Sequence, residues 1–212
     1  MKKELDYFII DGCYGGNQDW FTDWWMNKGG CGAATCCDSS LYFAIHREMT
    51  HLYPYDVKQL TKEEYIQFAM LMKPYLSPRM RGIDKLDIYI DGAAKYFADR
   101  GEPGITMLPF AGESDVADAR RIVRYQIDHG YPIPYLNLKH KNKALDDYEW
   151  HWFLLTGYEL FCEEAAGQQE PDGTMMVKAV TYGNWRWLDF DDLWDTGHRE
   201  KGGMVLYRYT PS

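Results

Sequence analysis

The sequence predicts an α+β protein of one domain, 1–212, with a helical lobe over about 14–130 and a sheet-rich lobe over about 131–212. Two observations predict it. Up to about residue 130, apolar residues recur at helical spacing behind recognisable helix starts. Beyond that point the period changes, and Trp150–Tyr158 is apolar almost throughout, as a central strand buried on both faces would be.

The elements follow in order. Tyr7-Phe8-Ile9-Ile10 reads as a short strand ended by Asp11-Gly12. Tyr14–Trp20 is a glycine-rich loop running into an aromatic patch, where Trp20, Phe21, Trp24 and Trp25 recur at helical spacing and so read as core. Gly29-Gly30 frees the backbone for a tight or positive-φ turn. Cys31 to Ile45 then forms a helix with small residues in its first turn. Thr61-Lys62-Glu63-Glu64 is a capping box opening a helix through Met72, closed by Pro74 and Pro78. A third helix runs from Asp84 to about Ala98, with Leu86, Ile90, Ala93, Ala94 and Phe97 on one side, and Ile105–Leu108 is a short strand. Ser114 caps a fourth helix that Gly130 ends. Strands are expected at 132–138, 150–158, 175–182 and 204–209. A turn is expected over 167–173, another at Gly183-Asn184-Trp185, and a helical turn at 191–194.

Composition narrows the function. A net charge of −9 and a pI near 5.1 argue against nucleic acid as a partner, because its recognition rests on neutralising phosphates. No stretch is long and apolar enough for a bilayer, and Phe8–Ile10 is too short for a signal-peptide core, so a soluble, cytoplasmic chain with no membrane partner is expected. Five cysteines (Cys13, Cys31, Cys36, Cys37 and Cys162) are an odd set without a Cys-x-x-Cys pair, unlike a disulfide scaffold or a zinc knuckle.

Cys31 stands at a helix start, where unpaired N–H groups and the helix dipole favour a thiolate. His151 opens the very apolar strand, an unusual place for a histidine. A cysteine on one lobe and a histidine on the other can meet across a cleft as nucleophile and base. Asn184 or Asp189 is expected to orient the imidazole, although asparagine after glycine is equally an ordinary turn residue. Gln18 is a candidate donor to an oxyanion, with the Cys31 backbone N–H as the second. Cys36 and Cys37 lie about a turn into the helix and read as core.

The order of Gln18, Gly30-Cys31-Gly32, His151 in His-Trp-Phe-Leu-Leu-Thr-Gly-Tyr and Asn184 before Trp185 resembles the papain-like cysteine peptidases. Within them it is most similar to the bacterial branch that includes the double-glycine-leader peptidases of bacteriocin exporters. Ile127–Ile133 resembles that branch's helix–Gly–x–Pro–strand passage, and Gly203–Tyr207 resembles the final strand of the fold. The resemblance implies a cysteine helix packed on an antiparallel sheet and a Cys31–His151–Asn184 site. It also implies Gln18 in the oxyanion hole, a peptide or protein substrate cleaved through a thioester, and no cofactor. Gln18 stands farther from Cys31 than is usual, and Ala33 replaces that branch's proline. A transglutaminase-like acyl transferase and a non-catalytic peptide- or ligand-binding protein are the alternatives. In the binding protein, Trp20, Trp24, Trp25, Trp152 and Trp185 would line a groove. The peptidase reading expects Cys31 to have a depressed pKa and to alkylate faster than the other cysteines.

Overall fold

The computed structural model describes residues 1–161 and 173–211. Cys162 and all but Gly173 of the turn expected over 167–173 lie outside them. In chain order the elements begin with β1 (Lys2–Glu4), β2 (Ile9–Ile10) and β3 (Cys13–Tyr14). A 3-10 turn at Gln18–Trp20 follows, then α1 (Trp24–Gly29), α2 (Cys31–His46), α3 (Lys62–Met72) and α4 (Leu86–Asp99). Next come β4 (Ile105–Ala111), α5 (Val116–Asp128), β5 (Ile133–Asn137) and β6 (His151–Phe161). The chain closes with β7 (Thr174–Thr181), β8 (Asn184–Asp189), α6 (Phe190–Trp194) and β9 (Gly203–Tyr209).

Local chemistry accounts for the helix starts. The Thr61 side chain accepts the N–H of Glu64 at 3.2 Å and opens α3 where the capping box puts it. Asp115, not Ser114, caps α5, because its carboxylate accepts the N–H groups of both Ala117 and Asp118. The aromatic patch is not one helix. Asp23 accepts the N–H of Met26 at 3.0 Å and starts α1 afresh after the chain has extended through Phe21. That restart buries Phe21 but leaves Trp24 and Trp25 exposed, correcting their reading as core.

Seven strands form an antiparallel sheet in the order β4-β9-β5-β6-β7-β8, with β1 also paired to β6. β5 pairs with residues 151–155 of β6, and β1 takes up the same edge at 157–159. β1 and β4, both from before residue 130, therefore lie in this sheet, so the lobe expected to be helical over about 14–130 gives it the strand β4. β4 pairs along its whole length with β9 and is an edge strand, where Pro109 removes no needed N–H. β1 is Lys-Lys-Glu, held by its backbone and by pairing of Lys178 Nζ with Glu4 at 2.7 Å, so no apolar pattern announces it. Tyr7–Ile10 supplies only the two-residue β2, which turns through Asp11-Gly12 into β3.

α2 packs against β6, and Cys31 to Ala44 is buried apart from Ala34. A helix buried all round is a core helix, and this one fixes the position of its own N-terminus against the sheet. Trp152 of β6 is fully buried, stacked on Tyr89 at 4.4 Å, and donates its indole N–H to the Ile83 carbonyl at 2.6 Å. No helix among the described residues is long and apolar enough to cross a membrane.

Candidate active site

α1 runs almost directly into α2, with Gly30 serving as C-cap of one and N-cap of the other. Its φ is −87°, so no left-handed turn is made. Glycine is required by space, since a Cβ at Gly30 would stand 2.3 Å from the Met26 carbonyl oxygen. Cys31 is thereby the first residue of α2, as expected from the sequence. The backbone N–H groups of Trp152, Gly32 and Cys31 itself favour the thiolate. Burial outweighs them and pushes the thiol above its ordinary value. This corrects the expectation of a depressed pKa, because desolvation opposes charge and is the largest effect on this thiol.

His151 is the first residue of β6 and is 5 % exposed. Burial pushes its pKa down to about 4, so the imidazole is neutral at pH 7. Nε2 lies 2.7 Å from the Thr181 hydroxyl. With Thr181 accepting from Nε2–H, the lone pair falls on Nδ1, which is then the basic atom. Tyr182 stacks on the imidazole at 4.7 Å with the rings 2° from parallel, and its hydroxyl lies 3.5 Å from Nδ1. Burial first, and the nearby Cys31 second, push the Tyr182 phenol up to about 12, so it stays protonated. Trp150, directly before His151, holds φ at 51°, a rare conformation for a bulky residue.

Neither expected orienting residue reaches His151. Thr181 pairs with Asn184 across a two-residue turn, Tyr182-Gly183, at φ 53° and 70°, as a type I′ hairpin requires. Asn184 is therefore the first residue of β8, exposed, with its Oδ1 accepting the N–H of Trp185 at 2.8 Å. Asp189 ends β8, roughly 16 Å along an extended strand. It caps α6 by accepting the N–H groups of Asp191 and Asp192. Thr181 holds the imidazole instead. The signal was the turn-forming Tyr182-Gly183 between two apolar runs, which marks a hairpin and places Thr181 at the strand end.

Gln18 does reach the site and lines the same cleft as Cys31. Its Nε2 donates to the Asn27 carbonyl at 2.7 Å, which turns that hydrogen away from any oxyanion, and its buried Oε1 has no partner among the described residues. The loop carrying it is anchored to α2 by Asp38. This buried carboxylate accepts from Tyr65 at 2.7 Å, Tyr7 at 2.9 Å and the Gly16 N–H at 3.2 Å. Burial nonetheless pushes it up to about 6. A Cβ at Gly16 would stand 1.9 Å from the Tyr65 ring, which is wholly buried. Gly16→Ala is expected to cost about 1–3 kcal/mol by overpacking. Calorimetry reads this as a melting temperature lowered by several degrees, and an unchanged value refutes the anchor.

Cys31, His151, Gln18 and Tyr182 together line a cleft of about 660 Å³, rimmed by Trp24, Trp25 and Trp150. Tyr182 also lines a neighbouring cleft of about 580 Å³ that holds Trp185. Cys36 and Cys37 are fully buried, and burial pushes Cys36 up to about 12 and holds Cys37 well above its ordinary value. They are core thiols, and Cys13 is half-buried in β3. A buried thiol beside helix-start N–H groups and a neutral imidazole held by a hydroxyl is an arrangement suited to acyl transfer. Comparisons of the chain with protein-family models, curated proteins and solved structures return no match.

Proposed function

We propose that the chain is a thiol-dependent peptidase or amidase of papain-like fold, with Cys31 as nucleophile and His151 as general base. One observation carries the reading: Cys31 at the start of α2 and His151 at the start of β6 line one cleft. Nδ1 of His151 takes the thiol proton as sulfur attacks the carbonyl carbon. First-turn N–H groups of α2 stabilise the oxyanion, with Gln18 contributing once its amide turns from Asn27. The C–N bond breaks as the imidazolium returns the proton to the leaving amine, giving a thioester. Water, deprotonated by Nδ1, then releases the acid and restores the thiol. Because burial keeps both groups neutral at rest, proton transfer accompanies attack instead of preceding it.

That neutrality also favours a second reading, a binding protein that keeps the cleft without turnover. Acyl trapping separates the two. The wild-type chain is mixed with a panel of activated peptide esters and its intact mass followed. An acyl adduct mapping to Cys31, absent from Cys31→Ser and discharged by water, supports the hydrolase. Discharge only by an added amine indicates an acyl transferase. No adduct with any member of the panel overturns the catalytic reading.

A further inference from the structure

We propose that the cleft takes an acidic peptide segment bearing large apolar side chains, with its carboxylates facing Lys28, Arg79 and Arg81. This names the substrate class of the site proposed above and rests on that reading for its catalytic consequence, although binding alone does not need it. The chain carries a net charge of −9, yet the cleft is lined by Lys28, Arg79, Arg81 and Lys139 against only Glu149 and Glu200. Both carboxylates are engaged: Glu200 pairs with Lys139 at 2.6 Å, and Glu149 accepts the backbone N–H of His140. Lys28, Arg79 and Arg81 are exposed, and among the described residues no carboxylate lies within ion-pair reach of them. A cationic surplus in a cleft of an acidic protein selects anions locally against the field of the whole molecule.

The cations are placed by the fold. Arg79 and Arg81 lie in the loop between α3 and α4, whose Pro78 side chain and Arg79 carbonyl pack near Gly29, two residues before Cys31. The far end of the loop is pinned by the Trp152 bond to the Ile83 carbonyl. Beside the cations stand large apolar groups open to water: Trp24 and Trp25, in edge contact at 4.8 Å, Trp150, and Met80, which is 95 % exposed. Apolar ligand side chains covering these groups release the water around them. A nucleic acid offers aromatic faces as well, but its charge at every phosphate meets the net repulsion of the chain along its whole length.

The test titrates the wild-type chain with two decapeptides sharing the same Phe and Leu positions, one filled with Asp and Glu and the other with Lys, and with a ten-nucleotide single strand. Tryptophan fluorescence reads binding. The acidic peptide is expected to bind about tenfold or more tighter than the lysine peptide, even though the net charge favours the latter. Raising the salt should narrow the gap. The double variant Arg79→Glu, Arg81→Glu should lose about tenfold for the acidic peptide, while Lys28→Glu, on a separate element, shifts it in the same direction. Equal binding of the lysine peptide or the oligonucleotide, absence of saturable binding, or a preference surviving in both variants overturns the proposal. Cys31→Ser keeps the binding. Acidic-peptide binding without acyl trapping therefore sinks the hydrolase alone, and trapping indifferent to peptide charge sinks this proposal alone.

Discussion

His151→Ala lowers turnover of an amide substrate by about 10²- to 10⁴-fold, the contribution of a positioned base. Adding Cys31→Ser to that variant costs little beyond the larger single effect, because the two groups act as a unit. Thr181→Val removes the acceptor of Nε2–H and loses about tenfold or more through the wrong tautomer, whereas Asn184→Ala leaves turnover unchanged. The pH profile distinguishes this site from a preformed thiolate–imidazolium pair. The reactive form is the neutral pair, so kcat/KM rises near pH 4, where burial sets His151, and falls only above the ordinary thiol range. Between those limits the profile is flat, and a normal solvent deuterium isotope effect accompanies the proton in flight. Alkylation of Cys31 in the free protein is correspondingly slower at pH 7 than that of free cysteine. A lower limb above pH 6, or alkylation faster than free cysteine at pH 7, refutes the neutral-pair description.

The second large effect concerns stability. His151 titrates near 4 in the fold against an ordinary 6.5. As pH falls from 6.5 to 4 the unfolded chain takes up a proton that the folded chain refuses, and stability falls. Asp38 titrates near 6 against an ordinary 3.8. As pH rises from 3.8 to 6 the folded chain keeps a proton that the unfolded chain releases, so stability falls in the opposite direction. Each group spans about 3 kcal/mol, with a limiting slope of about 1.4 kcal/mol per pH unit, and between pH 4 and 6 the two cancel. Asp38→Asn therefore gains a rising slope with pH relative to the wild type, and His151→Gln gains a falling one. Denaturant unfolding of the three proteins at pH 4, 5 and 6 checks this. Slopes that stay parallel across all three show that neither group is held away from its ordinary value.

What the sequence alone determined is what neighbours along the chain determine. Thr61 with Glu64 opens α3 because the capping bond closes within one turn. The apolar run after His151 reads as a buried strand because every residue in it demands burial. Cys31 at a helix start and His151 at a strand start were legible for the same reason, as residues out of keeping with their immediate surroundings. The tertiary structure decided the rest, because the deciding partners are far apart in the chain. β1 has no apolar pattern and exists because β6 leaves an open edge for its backbone. Thr181, not Asn184 or Asp189, holds the imidazole, since one hairpin turn fixes which residue ends β7. Trp24 and Trp25 face water because Asp23 restarts the helix between them and Phe21. The protonation of Cys31 was read from the helix dipole, a local quantity, whereas burial by the whole core sets it, and desolvation is the larger effect.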